Sequence, residues 1–143
     1  MGKGKVAHAV VVIRAPIEKV WDALVNPETI KQYMFGTQVS SDWAAGSAIL
    51  WKGEWQGKRY EDRGVILQVE PRRRLQYTHF SPLSGLPDAP ENYHTVTIDL
   101  SSEPLTTRVS LSQDNNLTDQ ARDHSEKNWH MMLGSLKTLL EKP

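Results

Sequence analysis

Two histidines, one arginine and a set of aromatic side chains are the groups in this 143-residue chain whose types and spacing can do chemistry. His79 lies in an alternating apolar stretch, residues 74–80, and His94 opens another, residues 93–101. Between them runs a Pro- and Gly-rich connection from Pro82 to Pro90, which reads as the loop of a hairpin. Antiparallel pairing that keeps the apolar faces together sets Leu75 opposite Ile98 and Tyr77 opposite Val96. The same register brings His79 opposite His94 at the mouth of the loop. Two facing imidazoles can hold a polar ligand group or move a proton near neutral pH. A metal would want a third protein ligand, and no carboxylate is evidently placed to supply one, so no metal is expected. The competing reading is a polar pair that caps the sheet edge or bonds loop backbone.

Arg63 shares strand parity with Val65, Leu67 and Val69, which predicts an inward guanidinium able to clamp a carboxylate or phosphate. Its alternative is a strand-entrance position paired with Glu61 or solvent. Trp43, Trp51 and Trp55, with Tyr33, Met34 and Phe35, form an aromatic group that can line an apolar pocket opposite Tyr77, Met131 and Met132. Strand alternation sends Trp51 and Trp55 to one side. Plain core is the alternative for all of these, and it is the assignment for Trp21 and Trp129. The candidate ligand-binding set is therefore Arg63, Trp51, Trp55, Tyr77, His79, His94, Val96, Leu111 and Met132. No residue carries a catalytic signature, and no cofactor is implied. Gly-x-Ser-x-Gly and glycine-rich phosphate loops are missing, and His124 and His130 are six apart, too far for an i, i+4 zinc pair.

These residues need elements to position them. Residues 6–14 read as a strand that stops before Pro16, expected at the first helical position, where a missing N–H costs nothing. Val20, Trp21 and Leu24 then share a helical face, and Asn26-Pro27 breaks the chain before a second short helix. Strands follow over residues 47–55 and 59–69, then the two hairpin strands, with Ile98 expected opposite Val109 and Val96 opposite Leu111. Thr118 can cap a last helix whose apolar stripe is Trp129, Met132, Leu133, Leu136, Leu139 and Leu140. Gly134 in that helix either permits a close approach or is incidental.

Seventeen basic residues balance seventeen acidic ones, so nothing attracts nucleic acid globally, and Arg72-Arg73-Arg74 reads as a solvated turn. No run is long enough to span a membrane, and cysteine is absent. A single domain over residues 1–143, with residues 1–5 as a flexible tail, in a cytoplasmic setting, is the expectation.

The whole pattern resembles the START-like helix-grip superfamily (SRPBCC), and within it the activator of Hsp90 ATPase type of domain. The likeness is carried by Arg14-Ala15-Pro16-Ile17-Glu18-Lys19-Val20-Trp21, by Asn26-Pro27-Glu28, by Gly64 to Pro71 with Leu75, and by Trp129 to Glu141. It implies an α+β fold in which a curved antiparallel sheet wraps a long C-terminal helix, with two short helices after the first strand. It also implies a cavity between helix and sheet for a small hydrophobic or amphipathic molecule, lipid-like or polyketide-like. Two other functions are compatible with it. One is a cyclase or dehydratase using a cavity histidine as acid/base. The other is a chaperone-associated interaction module, which would present an exposed apolar patch.

Overall fold

The computed structural model describes residues 4–142, apart from the side chain of Trp55. Of the tail expected at residues 1–5, residues 1–3 lie outside the described residues, as does the ligand expectation for Trp55, whereas Lys5 opens the first strand and pairs with Asn116. The first strand, β1, is Lys5–Ile13, and two helices follow, α1 at Ile17–Val25 and α2 at Pro27–Tyr33. Pro16 is the N-cap of α1, one position earlier than the sequence suggested, with an extended ψ of 153°. Its carbonyl accepts from the Lys19 and Val20 amides, so the ring still begins the helix without wasting a donor. At α2 the Asn26 side chain accepts from the Glu28 amide. The Tyr33 hydroxyl donates to the Ala23 carbonyl, tying the two helices together.

Six strands come next: β2 Gln38–Ser41, β3 Ala48–Trp55, β4 Lys58–Glu70, β5 Arg74–His79, β6 His94–Glu103 and β7 Thr106–Asn116. With β1 they form one antiparallel sheet in the order β1-β7-β6-β5-β4-β3-β2. The closing helix α3, Asp119–Leu140, lies against its inner face, which is the helix-grip arrangement. Thr118 caps α3 by accepting from the Ala121 amide.

The β5–β6 register is the expected one, with Leu75 opposite Ile98, Tyr77 opposite Val96 and His79 opposite His94. The β6–β7 register is two residues away from expectation: Ile98 faces Leu111, and Val96 faces Gln113. The reason is the turn. Pro104 and Leu105 both stand outside the ladder, with Leu105 at φ 64°, so Glu103 pairs with Thr106. A two-residue slip leaves every side chain on its face, and the inner face stays continuous.

The larger correction is in β4. Val65 and Leu67 are exposed, while Gly64 and Ile66 are buried, the reverse of the expected parity. A bulge between Ile66 and Gln68 explains it, because Ile66 faces Tyr77 and Val69 faces Leu75 with one extra residue between them. Val69 therefore joins the core from the far side of the bulge, and the residues before it follow the opposite alternation. Gly64 lies two residues before this irregularity, next to the isolated Arg63–Phe80 bridge. A Cβ there would lie 1.7 Å from the Thr78 carbonyl oxygen, so only glycine fits. On α3, Met132, Leu133, Leu136 and Leu140 are buried and Trp129 and Leu139 pack beside them, as the stripe required. Gly134 approaches nothing, since an added Cβ would meet no atom within 4 Å.

Candidate functional site

The inverted parity of β4 decides what the inner face carries. Tyr60 and Asp62 turn inward, and Arg63 turns outward to pair with Asp88 at 3.1 Å. The expectation of an inward arginine is thus overturned, and a carboxylate stands where a guanidinium was sought. Asp62 is the cross-strand neighbour of Trp51 on β3. Its Oδ2 accepts from His79 Nε2 at 2.8 Å, while its Oδ1 is buried without a partner among the described residues.

The His79 ring meets Trp51 edge-on with centroids 5.0 Å apart, and Trp51 meets Tyr77 at 5.2 Å. His94 stacks with His79 at 6.3 Å. Its Nδ1 lies 2.8 Å from the Asp114 carbonyl oxygen, which can only accept. The Nδ1 atom therefore carries a proton, and in the neutral form of the imidazole Nε2 keeps a lone pair. Burial raises the pKa of Tyr77 far above its ordinary value of 10.0, so its hydroxyl stays protonated across the neutral range.

Trp51, Tyr77, His79 and His94 line an inner chamber of about 170 Å³. A wider outer chamber of about 400 Å³ adjoins it, with Phe35, Glu54, Asn128 and Met132 around its mouth. Thr37, Tyr60, Asp62 and Gln113 belong to the walls of both. So does Trp129, whose indole N–H donates to the Gln113 side-chain oxygen Oε1. The Thr37 hydroxyl lies 2.8 Å from the Met34 carbonyl, to which it donates, and 2.6 Å from the Tyr60 hydroxyl. Tyr60 must then donate to Thr37, leaving its own lone pairs free. Gly53 makes room for that ring, since a Cβ there would fall 2.4 Å from the Tyr60 hydroxyl.

Of the sequence-based set, then, the structure gathers Trp51, Tyr77, His79, His94 and Met132 around connected space. Val96 and Leu111 are core residues, 1% and 2% exposed, and neither forms a chamber wall. Met131 is exposed on the other side of α3, so it does not face the pocket as expected. Tyr33 is wholly buried and Trp43 packs against the core away from the chambers. Asp62, Tyr60, Thr37 and Gln113 are functional candidates that sequence reasoning missed. Gly64 was a nearby signal, because a mid-strand glycine marks an irregularity or a close backbone approach, and here it admits the Thr78 carbonyl two residues before the bulge. Among the described residues no group of three or more His, Cys, Asp or Glu is placed to hold a metal ion. No helix is long and apolar enough to cross a membrane.

A curved sheet gripping a terminal helix, with a hollow between them, defines a START-like protein. Residues 14–141 match the family model described as activator of Hsp90 ATPase homolog 1-like protein, and the chain belongs to that family. The solution structure of a Cytophaga hutchinsonii protein is similar at 60% identity, covering 99% of this chain and 97% of that one, with a TM-score of 0.86. DynU16, a protein of the dynemicin biosynthetic locus, shares the fold at 20% identity and a TM-score of 0.79, over 96% of this chain and 47% of its own. The Aha1 dimer from Colwellia psychrerythraea shares it at 22% identity and a TM-score of 0.74, over 96% of both chains. No curated protein matches the chain.

Proposed function

We propose that the protein binds a small amphipathic molecule in the two-chamber hollow between sheet and helix. The ligand's apolar body would lie against Trp51, Tyr77, Trp129 and Met132, and its polar end would reach Asp62, His79 and His94. The observation that carries this reading is a half-buried carboxylate whose Oδ1 is buried without a partner among the described residues, set in a wall that is otherwise largely aromatic. An unsatisfied buried polar atom costs about 1–3 kcal/mol, which a ligand donor at Asp62 would recover. The outer chamber's volume falls within the roughly 300–1,000 Å³ of ordinary small-molecule sites.

A second reading rests on the Asp62–His79 pair itself. A carboxylate on one imidazole nitrogen fixes tautomer and ring orientation, which is how a histidine is prepared for proton transfer. Turnover would then need both residues, whereas binding alone would survive loss of the imidazole's basicity.

Titration of the pure protein with a panel of aromatic and aliphatic amphiphiles tests the binding reading, followed by indole fluorescence and amide chemical shifts. Saturable shifts at Trp51, His79, His94 and Trp129 are expected for at least one class. Their absence across a diverse panel would remove the cavity as a binding site.

A further inference from the structure

The polarity of the chambers selects among amphiphiles. Resting on the binding reading above, we infer that the site takes a neutral hydroxyaromatic ligand, a phenol-type donor on a fused or extended ring, and rejects carboxylates. Among the described residues, the walls contain two carboxylates, Asp62 and Glu54, and no lysine or arginine. Arg63, the residue after Asp62, faces the other way and is paired with Asp88. The His79 Nε2 proton is already given to Asp62, and the His94 Nδ1 proton is given to the Asp114 carbonyl.

What remains is rich in acceptors. A carboxylate has about four lone-pair sites, and His79 takes one of them. The terminal torsion of an aspartate is broad, so a small rotation about Cβ–Cγ brings Oδ1 round to an incoming donor. Nε2 of neutral His94 and the Tyr60 oxygen add further acceptors. A phenol supplies the proton these groups lack, and its own oxygen can accept from the Tyr77 hydroxyl. Its ring matches the T-shaped and tilted aromatic geometry around Trp51. A ligand carboxylate, by contrast, would be desolvated beside Asp62 with no cationic side chain to receive it.

Three matched probes test this near pH 8, above the ordinary imidazole range: 2-naphthol, 2-naphthoate and naphthalene. The expected order puts 2-naphthol first, about tenfold or more tighter than either other probe, consistent with the worth of one buried donor. In Asp62→Asn the preference for naphthol over naphthoate should shrink to under about threefold. The imidazole nitrogen signals of His79 in the wild-type protein should also move with 2-naphthol, a readout that does not depend on the variant folding. Naphthoate or naphthalene binding as tightly as naphthol would overturn the proposed selectivity and leave the cavity reading standing. A preference that persists undiminished in a folded Asp62→Asn protein would also overturn it. No saturable response to any of the three would overturn the cavity reading, and the selectivity with it.

Discussion

The two halves of α3 cross the same sheet and are held to it in opposite ways. From Trp129 to Leu140 the helix drives an apolar stripe into the core, with Leu133 and Leu136 almost wholly buried against the sheet. From Asp119 to Asn128 no residue is buried. That half is tethered by polar contacts instead. Glu126 accepts from the His8 amide at 3.0 Å, the Ser125 hydroxyl donates to Asn116 at 2.9 Å, and Asp119 pairs with Lys5 at 3.0 Å. The outer chamber lies where the stripe runs out, with Ser125, Asn128, Trp129 and Met132 in its wall. The hollow is built by what the helix withholds. Side chains too short or too polar to reach the sheet leave space, and the polar tethers keep that space from collapsing.

Core substitutions at the two ends should show the contrast most strongly. Leu136→Ala, at a site with no exposure, should cost about 2–5 kcal/mol in urea unfolding. Met132→Ala at the chamber wall removes a side chain that already borders a void, so its loss should fall at or below the bottom of that range. Equal losses at the two positions would mean that the chamber is not open in solution. Gly64→Ala comes next. Its Cβ cannot coexist with the Thr78 carbonyl, so β4 and β5 must part locally, at about 1–3 kcal/mol. Because His79 follows Thr78, that variant should lose ligand response more completely than its stability loss alone explains.

The same glycine marks the limit of what the sequence made legible. The hairpin that faces His79 with His94 could be read because both strands alternate cleanly and each apolar face had one sensible partner. The α3 stripe and the Thr118 cap were legible for the same reason: their pattern is local. The β4 face was not. Its apolar residues Val65, Leu67 and Val69 alternate perfectly, yet the bulge between Ile66 and Gln68 puts only Val69 against the core. One extra residue therefore exchanged Arg63 for Asp62 at the site and reversed the charge the ligand would meet. The β6–β7 slip, two residues rather than one, changed no facing and did no such harm.

A smaller effect should separate the halves of α3 by their dynamics. Ser125→Ala removes one tether and should cost about 0.5–1.5 kcal/mol. Amide exchange should accelerate over residues 119–128 and remain slow over residues 132–140, since the apolar half opens only with the whole fold. Uniform acceleration along the helix would show that the tethers and the stripe act as one unit.

The smallest effect concerns the sealed end, where polar contacts supplement the stripe: Lys137 Nζ donates to the Val12 carbonyl at 2.8 Å and Lys19 Nζ to the Leu140 carbonyl at 3.2 Å. Glu141 accepts from Lys137 and from the Arg14 amide, the latter at 2.9 Å. The Lys137 hydrogen bond is the main reason its carboxyl is held below its ordinary value of 4.5, with the Arg14 amide second. A carboxyl lowered in this way binds fewer protons folded than unfolded. Its contribution is complete above pH 4.5 and is lost as the pH falls through the lowered folded value. Glu141→Gln should therefore be slightly less stable than the parent at neutral pH, and the difference should close as the pH falls below that window. Asp119, lowered by Lys5 at the other end of the helix, titrates in the same direction, so the parent still loses stability in acid after the substitution. A gap that stays constant down to strong acid would show that Glu141 stabilises by packing.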